Sequence, residues 1–282
     1  MTTVLRYAAF TVDGRGGNPA GVVLDARGLD GTDMQAIAAE VGYSETAFLV
    51  ARPDEPNVYD VRYFSPKREV PFCGHATIAS AVAIAELSPS AELIFRTPAG
   101  FVSITTFQND RGDLAAELTS VAPRVSQPEP DLVSAVLRAL RWSPKDLDPA
   151  YPVMLANAGS EHLVLVTKSR ERLADLDYDF EALAKSMRQH GLITVQLIWP
   201  ESSKRYHSRN PFAGSGVVED PATGASAAAF GGYLRELGMI GENASFKIIQ
   251  GADMGQPSEI NVSVIGGEPG VRVSGTAHRM ET

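Results

Sequence analysis

Side chains that can move protons stand near the starts of two helices and of one strand. Glu45 lies between an apolar helical segment and the predicted strand Glu45–Val50. A carboxylate in a water-poor cleft can give and take a proton near pH 7, because desolvation disfavours its charge. Cys73 and His75 open a helix of small residues, and Asp220 precedes a second such helix. From position alone each has an ordinary alternative: a solvated glutamate, a small buried cysteine, a structural histidine and an N-cap aspartate.

The two small-residue helices are predicted over Ala76–Leu87 and Ala222–Leu237. A helix with few charges on any face is buried nearly all round, so we expect a strongly curved sheet to enclose each one. Helix N-termini carry unpaired N–H groups and about half a positive charge. Gly74 and Gly224 would let this backbone approach a ligand closely. We therefore expect both N-termini to face one cleft and to bind a carboxylate or a developing enolate oxygen.

Two stretches of the chain resemble each other. Each runs from an RY-x-S strand, which begins at Arg62 or Arg205, through a variable turn to a small-residue helix and then to paired strands. The alternative is a chance similarity between small-residue helices. We predict an α+β fold of two pseudo-symmetric halves, each a curved, mostly antiparallel sheet around a central helix. The polar, proline-rich segment Val121–Leu132 suggests a boundary between residues 1–122 and 123–282, and the last strands could return to the first half.

Composition excludes several classes of protein. The 282 residues are 44% hydrophobic and 21% charged, as in ordinary globular proteins. The net charge of −9 argues against nucleic-acid binding, which needs a basic face. No run approaches the roughly 18 apolar residues of a membrane span, and the N-terminus is unlike a signal peptide. A single cysteine excludes an intramolecular disulfide and an all-thiolate metal site. These features predict a cytoplasmic protein without a membrane or nucleic-acid partner.

Motifs of several common enzyme classes are missing from the sequence. The five histidines show no HExxH spacing, and neither a GxxxxGK[ST] loop nor a GxSxG elbow occurs. The GRGGNP turn falls short of GxGxxG, and no helix opens directly from it. We therefore expect no metal and no cofactor.

Five ordered motifs resemble those of one family. They read GNPAGVVLDA, GYSETAFLV, RYFSPKREVPFCGHAT, EDPATGASAAAFGGYL and QGADMGQPS, and the resemblance extends from Arg6 to about Gly275. They are similar to motifs of the PhzF-like proteins, the phenazine-biosynthesis isomerase family, which is related to diaminopimelate epimerase and proline racemase. The resemblance implies the two-half epimerase fold. It also implies a cofactor-free, metal-free isomerase that moves a proton on a small substrate, as a homodimer.

The resemblance also implies roles for individual residues. Glu45 matches the family's catalytic carboxylate. His75 and Asp220 match polar residues that hold the substrate, and we place them with Glu45 as catalytic. Asn18 matches the asparagine of the G-N-P turn and is expected to bind substrate. Five residues at the two helix starts are expected to do the same: Cys73, Gly74, Thr223, Gly224 and Ala225.

Two departures from the family pattern bear on the substrate. Ala225 stands where the family has a hydroxyl, unless Ser226 replaces it, and Gln256 stands where the family has an arginine. We expect a small anionic or amino-acid-like substrate that bears a carboxylate. Arg209 could pair with such an anion or belong to a surface ion pair.

Two other functions stay open at this point. In the related two-thiol racemases a cysteine opens each central helix, and Cys73 stands at the first position but Thr223 at the second. A two-thiol racemase is therefore excluded, whereas a Cys73-based dehydratase or epimerase of a proline-like amino acid is not. The second alternative is a non-catalytic protein that binds a small molecule on the same fold.

Overall fold

The chain forms two compact units in the computed structural model, which describes residues 2–89 and 92–281. Unit 1 contains the residues up to Thr119 and those from Ser274 onward, and unit 2 is Ser120–Val273. The strands and helices of unit 1 are, in chain order, β1 (Leu5–Ala9), β2 (Asn18–Val23), α1 (Gly31–Val41), β3 (Glu45–Ala51), β4 (Val58–Phe64), β5 (Glu69–Val70), α2 (Gly74–Leu87), β6 (Glu92–Thr97), β7 (Gly100–Gln108) and β8 (Leu114–Thr119).

Unit 2 follows with β9 (Arg124–Ser126), α3 (Pro130–Ala139), β10 (Met154–Asn157), β11 (Glu161–Val166), α4 (Arg170–Ala174), α5 (Phe180–His190), β12 (Thr194–Ser202), β13 (Arg205–Phe212), β14 (Val217–Asp220), α6 (Gly224–Glu236), β15 (Ala244–Gln250) and β16 (Ser258–Val264). The last strand, β17 (Arg272–Arg279), starts at the end of unit 2 and continues into unit 1. No helix of the described residues has the length and hydropathy that a bilayer crossing requires.

The strands of unit 1 close into a ring. Hydrogen-bonded neighbours run in the order β17, β1, β2, β3, β4, β6, β7, β8, and β8 pairs in turn with β17. The pairs β2–β3 and β4–β6 are parallel, and β1–β17, β1–β2, β3–β4, β6–β7 and β7–β8 are antiparallel. Helix α2 packs against β1, β2, β3, β7 and β8, and every residue from His75 to Ala85 is buried. Small side chains on all faces permit this enclosure, as the sequence predicts.

Helix α1 covers one face of the unit 1 sheet and is capped at both ends. It packs on β3 and β4 through Met34 and Phe48, among others. Its N-cap is Asp30, whose carboxylate accepts hydrogen bonds from the backbone N–H groups of Thr32 and Asp33. The helix therefore begins at Gly31. It ends at Val41, and its C-cap Gly42 has a left-handed φ of 73°.

Unit 2 repeats the same arrangement of strands. The pairs β11–β12 and β13–β15 are parallel, and β9–β10, β10–β11, β12–β13, β13–β14 and β15–β16 are antiparallel. Helix α6 packs against β9, β10, β11 and β16, with Ser226–Leu234 buried. A Cβ at Gly232 would lie 2.3 Å from the Pro123 Cβ, so the close approach of α6 to the chain before β9 requires glycine here. Helices α3 and α5 form a separate core with residues such as Leu132, Met187 and Leu197.

The order of elements confirms the predicted fold class. β1-β2-β3-β4-β5-α2-β6-β7 in unit 1 corresponds to β10-β11-β12-β13-β14-α6-β15-β16 in unit 2, with the same parallel and antiparallel pairs. Each unit is thus a mostly antiparallel, curved sheet packed on a helix of small residues. The fold is α+β, and the two units repeat one order of strands and helices.

The register corrects the residue match between the two halves. The sequence comparison matches Arg62 with Arg205, whereas the hydrogen-bonding pattern matches Arg62 with Arg209. In β4 the residue after Arg62 is opposite Val70, and in β13 the residue after Arg209 is opposite Asp220. Val70 and Asp220 each stand directly before the proline that leads into the small-residue helix. The RY-x-S similarity is therefore four residues out of register.

Candidate active site

Glu45 is the first residue of β3, and its side chain lies beside the start of α2. In the parallel pair of β2 and β3, Ala20 is opposite Glu45. Asn18 stands two residues earlier in β2 and therefore faces the same side of the sheet, because side chains alternate along a strand. Asn18 is 2% exposed, and the Glu45 side chain is 14% exposed. The sequence places Asn18 in the preceding turn, but it is already paired with Ala9 of β1.

Glu45, Cys73 and His75 form a close cluster. The Cys73 Sγ lies 3.6 Å from the Glu45 Oε2 and 3.3 Å from the His75 Nδ1. The His75 Nε2 lies 3.6 Å from the Glu45 Oε2 and 3.4 Å from the Ser44 Oγ. Both Cys73 and His75 are buried. Unit 1 thus brings together a carboxylate, a thiol and an imidazole, three groups that can each exchange a proton.

Burial keeps the His75 ring in its neutral form. Desolvation lowers the pKa of His75, and the Glu45 charge and a hydrogen bond to the Pro19 carbonyl oppose that effect without overcoming it. One ring nitrogen donates to that carbonyl, so a neutral ring keeps a lone pair on the other nitrogen. His75 can therefore accept a hydrogen bond within the cluster.

The N-terminus of α2 has no side-chain cap. Cys73 is its N-cap residue but accepts no hydrogen bond from the helix. A Cβ at Gly74 would meet only the Phe72 ring, at 4.0 Å, so the space in front of this residue is open to a ligand. The first turn can direct N–H groups and the positive end of its dipole toward an anion.

In unit 2, Asp220 lies at the end of β14 and binds the start of α6 through Thr223. The Thr223 hydroxyl donates to the Asp220 Oδ2 at 2.5 Å. The helix begins at Gly224, so Asp220 stands farther from it than the sequence suggests and is not its N-cap. Thr223 holds the N-cap position without a side-chain cap bond. Asp220 is 8% exposed, so its carboxylate is largely shielded from solvent.

Gln250, which the sequence analysis does not single out, holds this group together. Its Nε2 donates to the Asp220 carbonyl oxygen at 2.7 Å and to the Thr223 hydroxyl at 3.0 Å, and its Oε1 accepts from the Thr223 N–H at 3.2 Å. The next residue, Gly251, has φ 72°, and a Cβ there would lie 2.7 Å from the Pro221 carbonyl oxygen. The sequence contains one indication of the importance of these two residues, because they begin QGADMGQPS, the fifth motif that resembles the PhzF-like family.

Ser226 does not replace the hydroxyl that Ala225 lacks. Ser226 is fully buried, accepts from the Asn210 Nδ2 at 2.7 Å and donates to the Thr223 carbonyl oxygen at 3.0 Å. Its one O–H donor and one of its acceptor positions are thus used inside unit 2, where solvent does not reach it. Gln256, the second departure, is exposed, and its N–H donates to the Gly251 carbonyl oxygen.

Arg209 belongs to a buried ion pair and not to a surface one. Its guanidinium binds the Glu219 carboxylate through two hydrogen bonds of 3.0 and 2.6 Å and donates to the Ala174 carbonyl oxygen. The side chains are 10% and 4% exposed. Arg62 and Glu69 form the corresponding pair in unit 1, where it is more exposed. The pair in unit 2 is therefore structural and joins β13 to β14.

The corrected register identifies the counterparts of the unit 1 cluster. Phe48 is opposite Arg62 and Leu197 is opposite Arg209. Three residues earlier in each strand are Glu45 in β3 and Thr194 in β12. Thr194 is buried, and its hydroxyl lies 2.8 Å from the His162 Nδ1.

The two helix starts complete this comparison. Counting from the shared proline, Thr223 corresponds to Cys73 and Ala225 to His75. In unit 2 all three positions of the Glu45–Cys73–His75 cluster thus carry side chains that do not act as acids or bases near neutral pH.

Comparisons with known proteins agree with this fold and identify the family of the chain. The family model for phenazine biosynthesis-like proteins (PhzC-PhzF) matches residues 7–282. An uncharacterized isomerase, YfhB of Bacillus subtilis, is 31% identical over 99% of this chain and 97% of its own. The trans-2,3-dihydro-3-hydroxyanthranilate isomerase of Pseudomonas chlororaphis is 30% identical over 86% of this chain and 83% of its own.

Solved structures give the same result for the fold. The PhzF-family phenazine biosynthesis protein of Bacillus anthracis has a TM-score of 0.88 and 25% identity, with 99% of this chain and 96% of that chain covered. A probable proline racemase of Agrobacterium radiobacter has a TM-score of 0.69 at 14% identity, over 99% of this chain and 91% of that chain, and so shares the fold. The chain belongs to the phenazine biosynthesis-like (PhzC-PhzF) family. It is an isomerase of that family.

Proposed function

We propose that the enzyme moves a proton between two carbons of a small, carboxylate-bearing substrate, with Glu45 as the single general acid and base. The observation that carries this proposal is that only unit 1 has acid–base side chains at the corresponding positions of the two units. Unit 1 has Glu45 beside His75 and Cys73, whereas the corresponding positions of unit 2 are Thr194, Ala225 and Thr223. An enzyme that used one base from each half would need a second acid or base at these positions.

The proposed reaction balances with one carboxylate. The Glu45 carboxylate removes a proton from a substrate carbon, and the electron pair of the broken C–H bond enters the adjacent π-system. The resulting carboxylic acid returns the proton to a different carbon of that system, which restores the carboxylate. The uncapped first turn of α2 stabilises the negative charge of the intermediate. His75, neutral and bound to the Pro19 carbonyl, lies beside the Glu45 carboxylate without neutralising its charge.

We assign substrate binding in unit 2 to Asp220, Thr223 and the backbone of Gly224 and Ala225. The Asp220–Thr223 contact and the bonds from Gln250 hold this segment in a fixed conformation. Pre-organised polar groups of this kind bind a ligand without the cost of ordering them. Because Ala225 offers no hydroxyl and the Ser226 hydroxyl is buried and bonded within unit 2, we expect a substrate that needs no side-chain hydrogen bond there.

The first substrate to test is trans-2,3-dihydro-3-hydroxyanthranilate, on which the Pseudomonas chlororaphis relative acts by its name. Small amino and hydroxy acids, screened by NMR for exchange of C–H protons in D₂O, form the second set. The homodimer and the cytoplasmic location stay predictions.

The decisive experiment compares Glu45→Gln with Glu40→Gln. Both changes replace a carboxylate with an amide of nearly the same shape, and Glu40 is exposed on α1. We expect Glu45→Gln to lower turnover by at least about 10²–10⁴-fold, the usual contribution of a positioned general acid or base. Glu40→Gln should match the wild type. Turnover by Glu45→Gln within tenfold of the wild type would remove Glu45 from the mechanism.

The fate of an isotopic label tests whether one base acts. With a substrate deuterated at the carbon that loses its proton, a single carboxylate should carry part of the deuterium to the product when the reaction runs in H₂O. Complete loss of the label at the shortest reaction times would contradict internal transfer, and it would favour either a second base or fast exchange of the acid with solvent.

A second candidate is chemistry at the Cys73 thiol. The observation that favours it is the 3.3 Å distance between the Cys73 Sγ and the His75 Nδ1, which is compatible with activation of a thiol by an imidazole. The reaction would be the dehydration or epimerisation of a proline-like amino acid. Loss of activity on alkylation of Cys73, prevented by a bound substrate analogue, would support this candidate.

A further inference from the structure

The Glu45–Cys73–His75 cluster has the shape of a metal-binding site. The Glu45 Oε2, the Cys73 Sγ and the His75 Nε2 define a triangle with sides of 3.6, 3.6 and 3.8 Å. Among the residues that the structure describes, this is the one group of at least three cysteine, histidine or carboxylate side chains whose ligand atoms all lie within 4.8 Å of one another. Its members come from β3 and from the first turn of α2, so two packed elements fix the triangle.

The triangle agrees with tetrahedral zinc. Typical bond lengths are about 2.3 Å to sulfur, 2.0–2.1 Å to a histidine nitrogen and 2.0–2.2 Å to a carboxylate oxygen. At tetrahedral angles these lengths separate the ligand atoms by about 3.3–3.7 Å. Two sides of the observed triangle fall within that range, and the Sγ–Nε2 side exceeds it by about 0.1 Å. The Cys73 Sγ lies nearer to the His75 Nδ1, at 3.3 Å, so an ion bound at Nε2 requires the Cys73 side chain to rotate toward that nitrogen.

The surroundings of the cluster also suit a divalent, thiophilic cation. His75 is oriented by its bond to the Pro19 carbonyl, as metal-ligating histidines commonly are. A thiolate and a carboxylate together neutralise the charge of Zn²⁺, which favours the ion in a site this buried. The Glu45 side chain is 14% exposed, so an ion can reach the site from solvent. Three protein ligands leave a fourth position for water.

We propose that Glu45, Cys73 and His75 form a zinc site and that Zn²⁺ bound there inhibits the enzyme. Binding replaces the proton of the Cys73 thiol, which is released to solvent, with a Zn–S bond. The carboxylate oxygen that would accept the substrate proton becomes a metal ligand, so the ion and the reaction exclude each other. The site itself is independent of the proposed function, whereas the inhibition rests on the role of Glu45 as the base.

The test measures binding of the ion itself. Zinc-free protein is titrated with Zn²⁺ against a chromophoric chelator, and in a second experiment with Co²⁺, whose complex is read by absorption. We expect one Zn²⁺ per chain and a Co²⁺ complex with a thiolate charge-transfer band and the strong visible bands of tetrahedral coordination. Cys73→Ser and His75→Gln should each weaken Zn²⁺ binding by at least about tenfold, since even changes in residues that only orient metal ligands often cost this much.

The control variant is His207→Gln. His207 lies beside a carboxylate, with its Nε2 2.9 Å from the Glu201 Oε2, but it has no thiol partner in that contact. Its removal should leave Zn²⁺ binding unchanged. As a measurement that needs no variant, Zn²⁺ should protect the single cysteine of the wild type from alkylation, followed by mass spectrometry.

Three results would overturn the zinc site. They are a wild-type chain that binds no stoichiometric Zn²⁺, a Co²⁺ complex without the thiolate band, and full affinity in a folded Cys73→Ser variant. If Zn²⁺ does not bind but deuterium transfer depends on Glu45, only the zinc proposal fails. If Zn²⁺ binds and Glu45→Gln still turns over, the proposed function fails and the binding site stands, without its inhibitory effect.

Discussion

Acid should destabilise unit 2 through one buried histidine. His162 is fully buried, and its two ring nitrogens lie 2.8 Å from the Thr194 hydroxyl and 2.9 Å from the Ser160 hydroxyl. Burial lowers the pKa of His162 from its usual 6.5 to about 3. The folded protein therefore keeps this ring neutral at pH values at which the unfolded chain has already protonated it.

The sign and size of the effect follow from that difference. The folded pKa lies below the unfolded pKa, so the stabilisation is fully present above pH 6.5 and is lost as the pH falls toward 3. Each pH unit inside this window costs about 1.4 kcal/mol. Between pH 7.5 and pH 5, His162 alone should lower the free energy of unfolding by about 2 kcal/mol. Burial lowers the pKa of His75 as well, so unit 1 should weaken in the same direction.

The assay can observe unit 2 alone, because both tryptophans of the chain, Trp142 and Trp199, lie in it. Urea unfolding is followed by tryptophan fluorescence at several pH values for the wild type, His162→Gln and His190→Gln. His190 is exposed at the end of α5, so its replacement should keep the wild-type pH dependence. His162→Gln should be less stable at neutral pH but should lose less stability between pH 7.5 and pH 5. An unchanged slope in His162→Gln would refute the reasoning.

Three further predictions concern the site and its support. Cys73→Ser should lower turnover by less than about tenfold if Glu45 is the base, and a loss of about three orders of magnitude in steady-state assays would show that the thiol does the chemistry. Gly74→Ala should leave thermal unfolding unchanged, since the new Cβ meets only the Phe72 ring at 4.0 Å, but should weaken binding of a carboxylate analogue at least about tenfold by calorimetry. Equal affinity would mean that no ligand approaches this backbone. Glu219→Gln should lower the free energy of unfolding of unit 2 by about 3–5 kcal/mol, because it leaves the Arg209 guanidinium buried without a counter-charge, and a loss under about 1 kcal/mol in urea titrations would contradict that account.

The fold could be predicted because the composition of the two central helices is unusual and is visible in the sequence. Two helices of small residues with few charges are expected to be enclosed, and together with the similar order of elements in the two stretches this favours two curved sheets. Details that depend on hydrogen-bond register could not be predicted. The one-letter sequences of the two stretches match Arg62 with Arg205. The residue pairing between β13 and β14, compared with that between β4 and β5, shows that Arg209 is the counterpart of Arg62. A one-dimensional comparison has no access to the strand partner that fixes such a match.

Only part of the candidate site could be predicted from the sequence. Glu45, Cys73 and His75 were singled out because they stand at the starts of elements, where polar groups in an apolar context are conspicuous, but only the resemblance to the PhzF-like family implied their roles. Gln250 was missed because it ends a strand and acts through contacts with Asp220 and Thr223 that are distant in sequence. That Ser226 is unavailable to a ligand also depends on tertiary contacts, since only the structure shows its hydroxyl bonded to Asn210.

The path of β17 determines when unit 1 can be completed during synthesis. Its residues from Ser274 onward fill the gap between β1 and β8, yet the ribosome makes them only after all of unit 2. Until then β1 and β8 are sheet edges with unpaired backbone groups, which are prone to join other chains. Unit 2 can therefore fold before unit 1 is complete, because only unit 1 requires the residues from Ser274 onward. In a released chain truncated after Val273, protease should cut unit 1 before unit 2, and equal resistance of both units would argue against this order.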